Sequence, residues 1–279
     1  MVKVKFSVLM SVYKNENPEW FRIAVKSVAE QTVKPDEILI VQDGMLSDEL
    51  YSVCDELKQC YPVIRYLKLD KNYGLGMALH YGVKACKNEL IARMDTDDIA
   101  VENRFELQLQ QFIEQPDLAI CGGNIVEFYN DINEIVSTRT VPCTMKAIVE
   151  YCKSRNPFNH MTVMFRKSAV LAAGNYQTFH LMEDYYLWYR MIKNNFNMCN
   201  LDTVLVNVRV GNGMYQRRGG VGYFFRECTF YRIMLKDGFI NYVEFFCVIC
   251  GRLIVRLLPG YFRKIVYRYV LHQQKEKLY

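Results

Sequence analysis

The sequence predicts an α/β fold built on a mostly parallel sheet, and three observations carry that prediction. Strand-like and helix-like segments alternate through the first hundred residues. The connections between them are short, which favours parallel strands joined by right-handed crossovers. Acidic residues also recur where strands end, at the sheet edge where open α/β sheets bind ligands.

The elements follow in order. Residues 4–13, Val-Lys-Phe-Ser-Val-Leu-Met-Ser-Val-Tyr, read as a buried first strand, and Lys14 to Pro18 form a loop. Phe21, Ala24, Val25 and Val28 recur at helical spacing within 19–31. Residues 37–41 form a second strand closed by Asp43-Gly44; 47–60 is a helix and 63–67 a third strand. Gly74-Leu75-Gly76 opens a helix over 76–86, and 90–94 is a fourth strand. Beyond it come a helix at 103–114, a strand at 118–128, a polar hairpin at 131–141 and a helix at 144–153. Further on come a strand at 162–165 and helices at 167–173 and 184–193. Residues 204–210 alternate like an edge strand. Past Gly211 the chain becomes basic, aromatic and helical. No repeat or low-complexity stretch occurs.

The division expected is a catalytic domain over 1–215, its donor-binding half about 1–100 and its acceptor-binding half about 101–215, followed by a helical appendage over 216–279. Net charge is +5, unevenly placed: residues 217–279 hold 12 Lys/Arg against 4 Asp/Glu, and the remainder 23 against 26. The 10 cysteines show no paired framework and no signal-peptide pattern is seen, so a cytoplasmic protein with reduced thiols is expected. Cys247-Val248-Ile249-Cys250 has no second pair to complete a zinc site and reads as apolar packing. Nucleic-acid binding is disfavoured, because the basic residues concentrate in an apolar tail.

Asp95-Thr96-Asp97-Asp98 places three carboxylates in four residues after a strand. Like charges this close need a cation nearby, and hard oxygen donors suit Mg²⁺ or Mn²⁺ bridging to phosphates. The competing reading is a solvated acidic turn. Asp97 is read as the direct metal ligand and Asp95 as a ribose or metal-water contact, with Asp98 pairing Arg93 or Arg104 to hold the loop. Asp43 can accept hydrogen bonds from a ribose or base, or simply make a turn. Glu183-Asp184 precedes a helix and offers either a general base or an N-cap. Tyr185 and Trp188 offer a sugar platform or helix core. Arg217-Arg218 offers a phosphate grip or a solvated loop. His160 is a structural hydrogen-bonder or an acceptor-side group, and His180 lies four residues before Asp184. No phosphate loop, dinucleotide fingerprint or nucleophile elbow is present.

Four elements together resemble a family 2 glycosyltransferase of the GT-A fold: Ser7 to Glu16, the Asp43 site, Ile91 to Asp98, and Glu183-Asp184 followed by Tyr-Tyr-Leu-Trp. The stretch from Asn156-Pro157 through His160 to Lys167 is similar to the branch that builds bacterial O-antigen and capsular polysaccharides. The resemblance covers about 5–210. It implies a nucleotide-diphosphate sugar donor, usually a uridine one, and inversion at the anomeric carbon. By that resemblance Ser11, Tyr13, Glu16 and Asp43 lie against the nucleotide, with Arg93 beside them. Asp95 and Asp97 form the metal-binding D-x-D element, Asp184 is the base and Glu183 supports it. Arg217-Arg218 departs from the commoner family ending, so its expected place on the diphosphate rests on the paired guanidinium groups and not on the resemblance. The implied donor is UDP-glucose or UDP-galactose, the metal Mn²⁺ or Mg²⁺, and the acceptor a sugar on a polyprenyl diphosphate.

Phe239 to Leu258 is apolar but holds Glu244, Arg252 and Arg256, so it suits a basic amphipathic helix lying in the membrane interface better than a membrane span. Pro259, Arg263, Lys264 and Arg268 extend that surface. The expected location is therefore the inner face of the cytoplasmic membrane; packing on the catalytic domain or on a second subunit is the other reading. The alternatives for function are a retaining GT-A transferase, a sugar-phosphate nucleotidyltransferase and a membrane-surface scaffold. The nucleotidyltransferase would need a Gly-rich basic loop where Ser11 to Asn17 stands.

Overall fold

The computed structural model describes residues 4–211 and 220–257. Among them the elements run β1 (Phe6–Val12), α1 (Pro18–Ala29), β2 (Glu37–Gln42), α2 (Asp48–Cys60), β3 (Ile64–Lys68), α3 (Leu75–Ala85), β4 (Leu90–Arg93), β5 (Ile99–Ala100) and α4 (Arg104–Glu114). There follow β6 (Leu118–Phe128), β7 (Ile135–Arg139), α5 (Met145–Cys152), a 3₁₀ turn (His160–Thr162), β8 (Met164–Arg166), α6 (Lys167–Ala172), α7 (Glu183–Lys193), β9 (Asn197–Arg209), α8 (Val221–Lys236) and α9 (Tyr242–Leu257). The alternation expected over the first hundred residues is present.

All these strands join one sheet, ordered β3-β2-β1-β4-β8-β6-β9-β5, with β7 paired to β6. The first four are parallel, β8 is antiparallel to both its neighbours, and β6 and β9 are parallel. The chain steps outward from β1 to β2 and β3, then returns to place β4 on the other side of β1. That reversal opens a crevice at the carboxyl ends of β1 and β4.

The pleat sorts side chains onto two faces. Phe6, Val8, Met10 and Val12 enter a core with α1, α2 and α4, while Leu9 enters a second core with α3, α5, α6, α7 and α8. In β2, Ile38 and Ile40 join the first, Leu39 and Val41 the second. Each such fully buried chain contributes roughly 1.5–3 kcal/mol. Helix starts are set by caps: Asn17 accepts from the backbone of Glu19 and Trp20 at 2.9 and 3.1 Å with Pro18 following, and Ser47 accepts from Leu50 at 3.3 Å.

Two expectations are corrected. The strand placed at 204–210 begins at Asn197 and lies inside the sheet, between β6 and β5. Its polar first half hid it: Asn200 is buried and donates to the carbonyls of Pro142 (2.7 Å) and Pro157 (3.1 Å). The segment 239–258, expected as an amphipathic helix with a basic outer face, is helical over Tyr242–Leu257 but turns that face to the protein. The chain turns at Gly238 (φ +70°), and Glu244, Arg252 and Arg256 of α9 face the protein, paired with Lys153 or Glu227. No helix of the described residues is long and apolar enough to cross a membrane.

Candidate active site

Three adjacent parallel strands deliver the first set of residues. Ser11 lies near the end of β1, and beyond it the backbone N–H of Glu16 donates to the carbonyl of Tyr13 at 3.1 Å, closing the loop. Asp43 follows β2; its backbone N–H donates to the Val12 carbonyl at 2.8 Å, joining the two strand ends. The buried Asp43 carboxylate accepts from the backbone N–H groups of Tyr73 (2.7 Å) and Gly74 (2.9 Å), at the start of α3. It is thus both a turn residue and a clamp, with lone pairs left over for a ligand donor. Gly44 is required beside it. Its φ is +84°, and a Cβ there would stand 2.7 Å from the backbone nitrogen of Asn72.

β4 ends at the acidic cluster. Ligand oxygens of Asp95, Asp97 and Asp98 lie within 4.8 Å of one another. Burial and the Asp95 charge push the Asp97 carboxyl up to about 6, and burial with the Asp97 charge raises Asp98 well above the carboxylate range. Arg93 pairs with Asp95. The pairing of Asp98 with Arg93 or Arg104 expected from the sequence is not found. Its carboxylate accepts from the backbone N–H of Arg209 at 2.9 Å, while Arg104 donates to the Arg93 carbonyl and to Gln108 at 2.8 and 3.0 Å. The Arg209 guanidinium lies over the rings of Trp20 and Phe128, and its Nε donates to the Asp97 carbonyl at 3.3 Å. The loop is therefore held from its backbone side. With Asp98 engaged inward, Asp95 and Asp97 are the oxygens placed to hold a hard divalent cation, and the crowding that raises Asp97 is one such an ion would relieve.

Glu183 and Asp184 occupy the first turn of α7. Neither caps it; the N-cap is Met182, without a side-chain hydrogen bond. Asp184 Oδ2 accepts from Asn156 Nδ2 and Oδ1 from the Tyr185 backbone N–H, both at 2.7 Å. Burial and the Asp184 charge push the Glu183 carboxyl up to about 7, and its Oε2 is buried with no partner among the described residues. Gly76 lets α3 approach: a Cβ there would lie 3.2 Å from the Glu183 Cβ.

Arg93 links the two acidic sites. It is wholly buried, its charge acts on both Asp97 and Glu183, and its Nε and Nη1 have no partner among the described residues. Beside it His160 shares a hydrogen bond with the Tyr176 hydroxyl at 2.9 Å. Burial, and then Arg93, lower the His160 pKa well below its usual range, which keeps the ring neutral. Trp188 packs against Phe158 and His160 with its Nε1 unpartnered among the described residues. Such orphaned polar atoms call for a ligand or ordered water. Tyr176 was not foreseen; only its place after the Gly174-Asn175 turn marks it in the sequence. Tyr185 is core, not acceptor surface: it packs on Phe230 and its hydroxyl donates to the Cys152 carbonyl at 2.6 Å. His180 is exposed. Arg217 and Arg218 lie outside the described residues, as do Pro259, Arg263, Lys264 and Arg268.

The sequence model of Glycosyl transferase family 2 matches residues 7–171. The chain is 36% identical over 269 residues to a UDP-Gal:alpha-D-GlcNAc-diphosphoundecaprenol beta-1,3-galactosyltransferase of Escherichia coli, covering 96% of this chain and 97% of that one. It is 37% identical to the amylovoran biosynthesis glycosyltransferase AmsE of Erwinia amylovora, covering 91% and 94%. Among solved structures, the mannosyltransferase PcManGT from Pyrobaculum calidifontis in complex with GDP-Man and Mn²⁺ superposes with a TM-score of 0.59 at 12% identity, over 93% of this chain and 71% of that one.

Proposed function

Since the chain belongs to glycosyl transferase family 2, we propose that it is an inverting enzyme that moves a hexose from a UDP-sugar to a hydroxyl of a lipid-diphosphate-linked sugar. The observation that carries this reading is the pair of acidic sites joined by buried Arg93, one built for a cation and one for a proton. The donor is UDP-galactose or UDP-glucose, and the acceptor a sugar on a polyprenyl diphosphate, as the name of the Escherichia coli relative suggests. The product is a β-glycoside of a surface-polysaccharide repeat unit, made at the inner face of the cytoplasmic membrane. Residues up to about 100 serve the donor and residues about 101–215 the acceptor.

Asp184, oriented by Asn156 and the start of α7, takes the acceptor proton as the hydroxyl oxygen attacks the anomeric carbon. The bond from that carbon to the diphosphate oxygen breaks, and UDP departs with its electron pair. Ser11, Tyr13, Glu16 and Asp43 hold the nucleotide. Asp95 and Asp97 would hold Mn²⁺ or Mg²⁺, which when bound neutralises diphosphate charge; the Mn²⁺ of the Pyrobaculum structure supports that choice. Arg93 stays cationic and buried between the sites, where its charge favours the ionised forms of Asp97 and Glu183. Neutral His160 with Tyr176 lines the same region. Most of the rate enhancement is positioning and electrostatics.

The test is transfer from UDP-galactose, UDP-glucose and their N-acetyl forms to a lipid-diphosphate N-acetylglucosamine, with Mn²⁺, Mg²⁺ or EDTA. One UDP-hexose should serve, only with metal, and give a β product by NMR coupling. An α product would make the enzyme retaining, and absence of binding to every UDP-sugar would end the uridine reading.

A further inference from the structure

Helix α9 is amphipathic in the opposite sense to a helix on the surface of a soluble domain. Its charged residues point at the protein. Glu244 pairs with Lys153 at 2.9 Å, Arg256 with Glu227 at 2.8 Å, and Arg252 donates to the Ser154 carbonyl at 2.6 Å. Its apolar residues point outward: Tyr242 is 80% exposed, Val243 72%, Phe246 68% and Ile254 64%, with Leu253 and Cys247 on the same arc. One face of two to three turns is thus apolar and uncovered, while the residues that would normally face water are neutralised inside. Contiguous exposed apolar surface of this kind marks an interaction site.

We propose that this face of α9 seats the enzyme on an anionic bilayer surface. Charge decides between a bilayer and another occupant. All the acidic side chains of α8, α9 and the turn between them are paired: Glu227 with Arg256, Glu244 with Lys153, and Asp237 with Lys193 and Tyr189. The cations Arg226, Arg232 and Lys236 stay exposed on α8 beside exposed Phe225. The sequence beyond Leu257 adds Arg263, Lys264, Arg268, Lys275 and Lys277 against Glu276 alone. An exposed aromatic and aliphatic face in a region of the chain with an excess of cations suits anionic headgroups over acyl chains. A second copy of the chain would bring like charges together at the rim.

The face is also mounted on the site. Arg252 and the Tyr231 hydroxyl both donate to the Ser154 carbonyl, at 2.6 and 2.8 Å, and Tyr185 of α7 donates to the Cys152 carbonyl. Two residues on, Asn156 donates to Asp184. The same short loop joins the outward face to the base, so docking would fix the height of Asp184 above the lipid surface. The proposal rests on the lipid-linked acceptor for its purpose but not for its geometry.

The experiment is flotation of the full chain with vesicles of phosphatidylethanolamine and phosphatidylglycerol, and with pure phosphatidylcholine. The triple variant Val243→Ser, Phe246→Ser, Ile254→Ser changes only exposed positions. The wild type should float with the anionic vesicles, and added salt should weaken it. The variant should lose at least about tenfold in vesicle partitioning while its UDP-sugar binding stays unchanged. Equal flotation of the two proteins would overturn the proposal, as would a wild type that does not float. A wild-type dimer in sedimentation that the substitutions convert to a monomer would overturn it too, because a second copy would then cover the face. If flotation depends on the face but no UDP-sugar is bound, the bilayer proposal stands and the donor reading fails.

Discussion

The molecule holds two clusters of neighbouring carboxylates, and it resolves their repulsion in different ways. At the end of β4, three acids converge with no helix start to favour them. Asp95 leans on Arg93 and Asp98 on the Arg209 backbone, which leaves Asp97 raised to about 6. At the start of α7, two acids share a helix N-terminus, where negative charge is favoured. Asp184 accepts from Asn156 and from Tyr185, while Glu183 keeps one orphaned oxygen and is raised to about 7. The first cluster calls for a cation, whereas the second is relieved by a proton. A group-transfer site needs both devices, one to carry charge on the leaving group and one to leave a neighbouring carboxylate free to act as base.

The comparison breaks hardest at Asp184. Asp184→Asn keeps the shape and the helix start but removes the proton acceptor. Turnover should fall on the order of 10³-fold, with UDP-sugar affinity in Mn²⁺ unchanged by calorimetry. A variant that retained turnover would move the base elsewhere, with Glu183 the nearest candidate.

Asp97→Asn tests the other device. UDP affinity in the presence of Mn²⁺ should drop about 100-fold. The rise in Tm that Mn²⁺ and UDP together give the wild type should disappear. The variant without metal should be no less stable than the wild type, because a desolvated charge has been removed. If Mn²⁺ still raised the variant's Tm, the cluster would be an acidic turn and the contrast between the two sites would fail.

How much of this could be read from the chain follows from sequence distance. β1, β2 and β4 are mostly apolar, and residues at or just past their ends inherit the sheet edge from their positions, so Ser11, Asp43 and Asp95 are legible locally. The partner of Asp98 is a backbone N–H 111 residues away, on a strand whose polar first half conceals it. Tyr176 meets His160 only through the fold, and its place after the Gly174-Asn175 turn does not say which residue it will meet. Helical periodicity in α9 shows two faces but not which one is outside. That depends on Glu227 of the neighbouring helix, which draws Arg256 and Arg252 inward. Sequence thus reveals which residues share an element, while long-range pairing decides their orientation.

Glu183→Gln gives the smallest effect and the sharpest view of the proton device. The folded protein holds the Glu183 proton up to about 7, against an ordinary value of 4.5. Its native pKa is raised, so its contribution to stability is fully present below about 4.5 and is lost as pH rises through about 7. Above that, the wild type carries a desolvated charge that glutamine does not. Urea unfolding at pH 5 and pH 8 should therefore show the two proteins close together at the lower pH. At the higher pH the variant should be more stable by as much as about 3 kcal/mol. Asp97 titrates in the same window but is common to both proteins, so it cancels in the difference. A difference that did not depend on pH would mean that Glu183 keeps its charge throughout. The second cluster would then be relieved by a cation, as the first is, with Arg93 serving both.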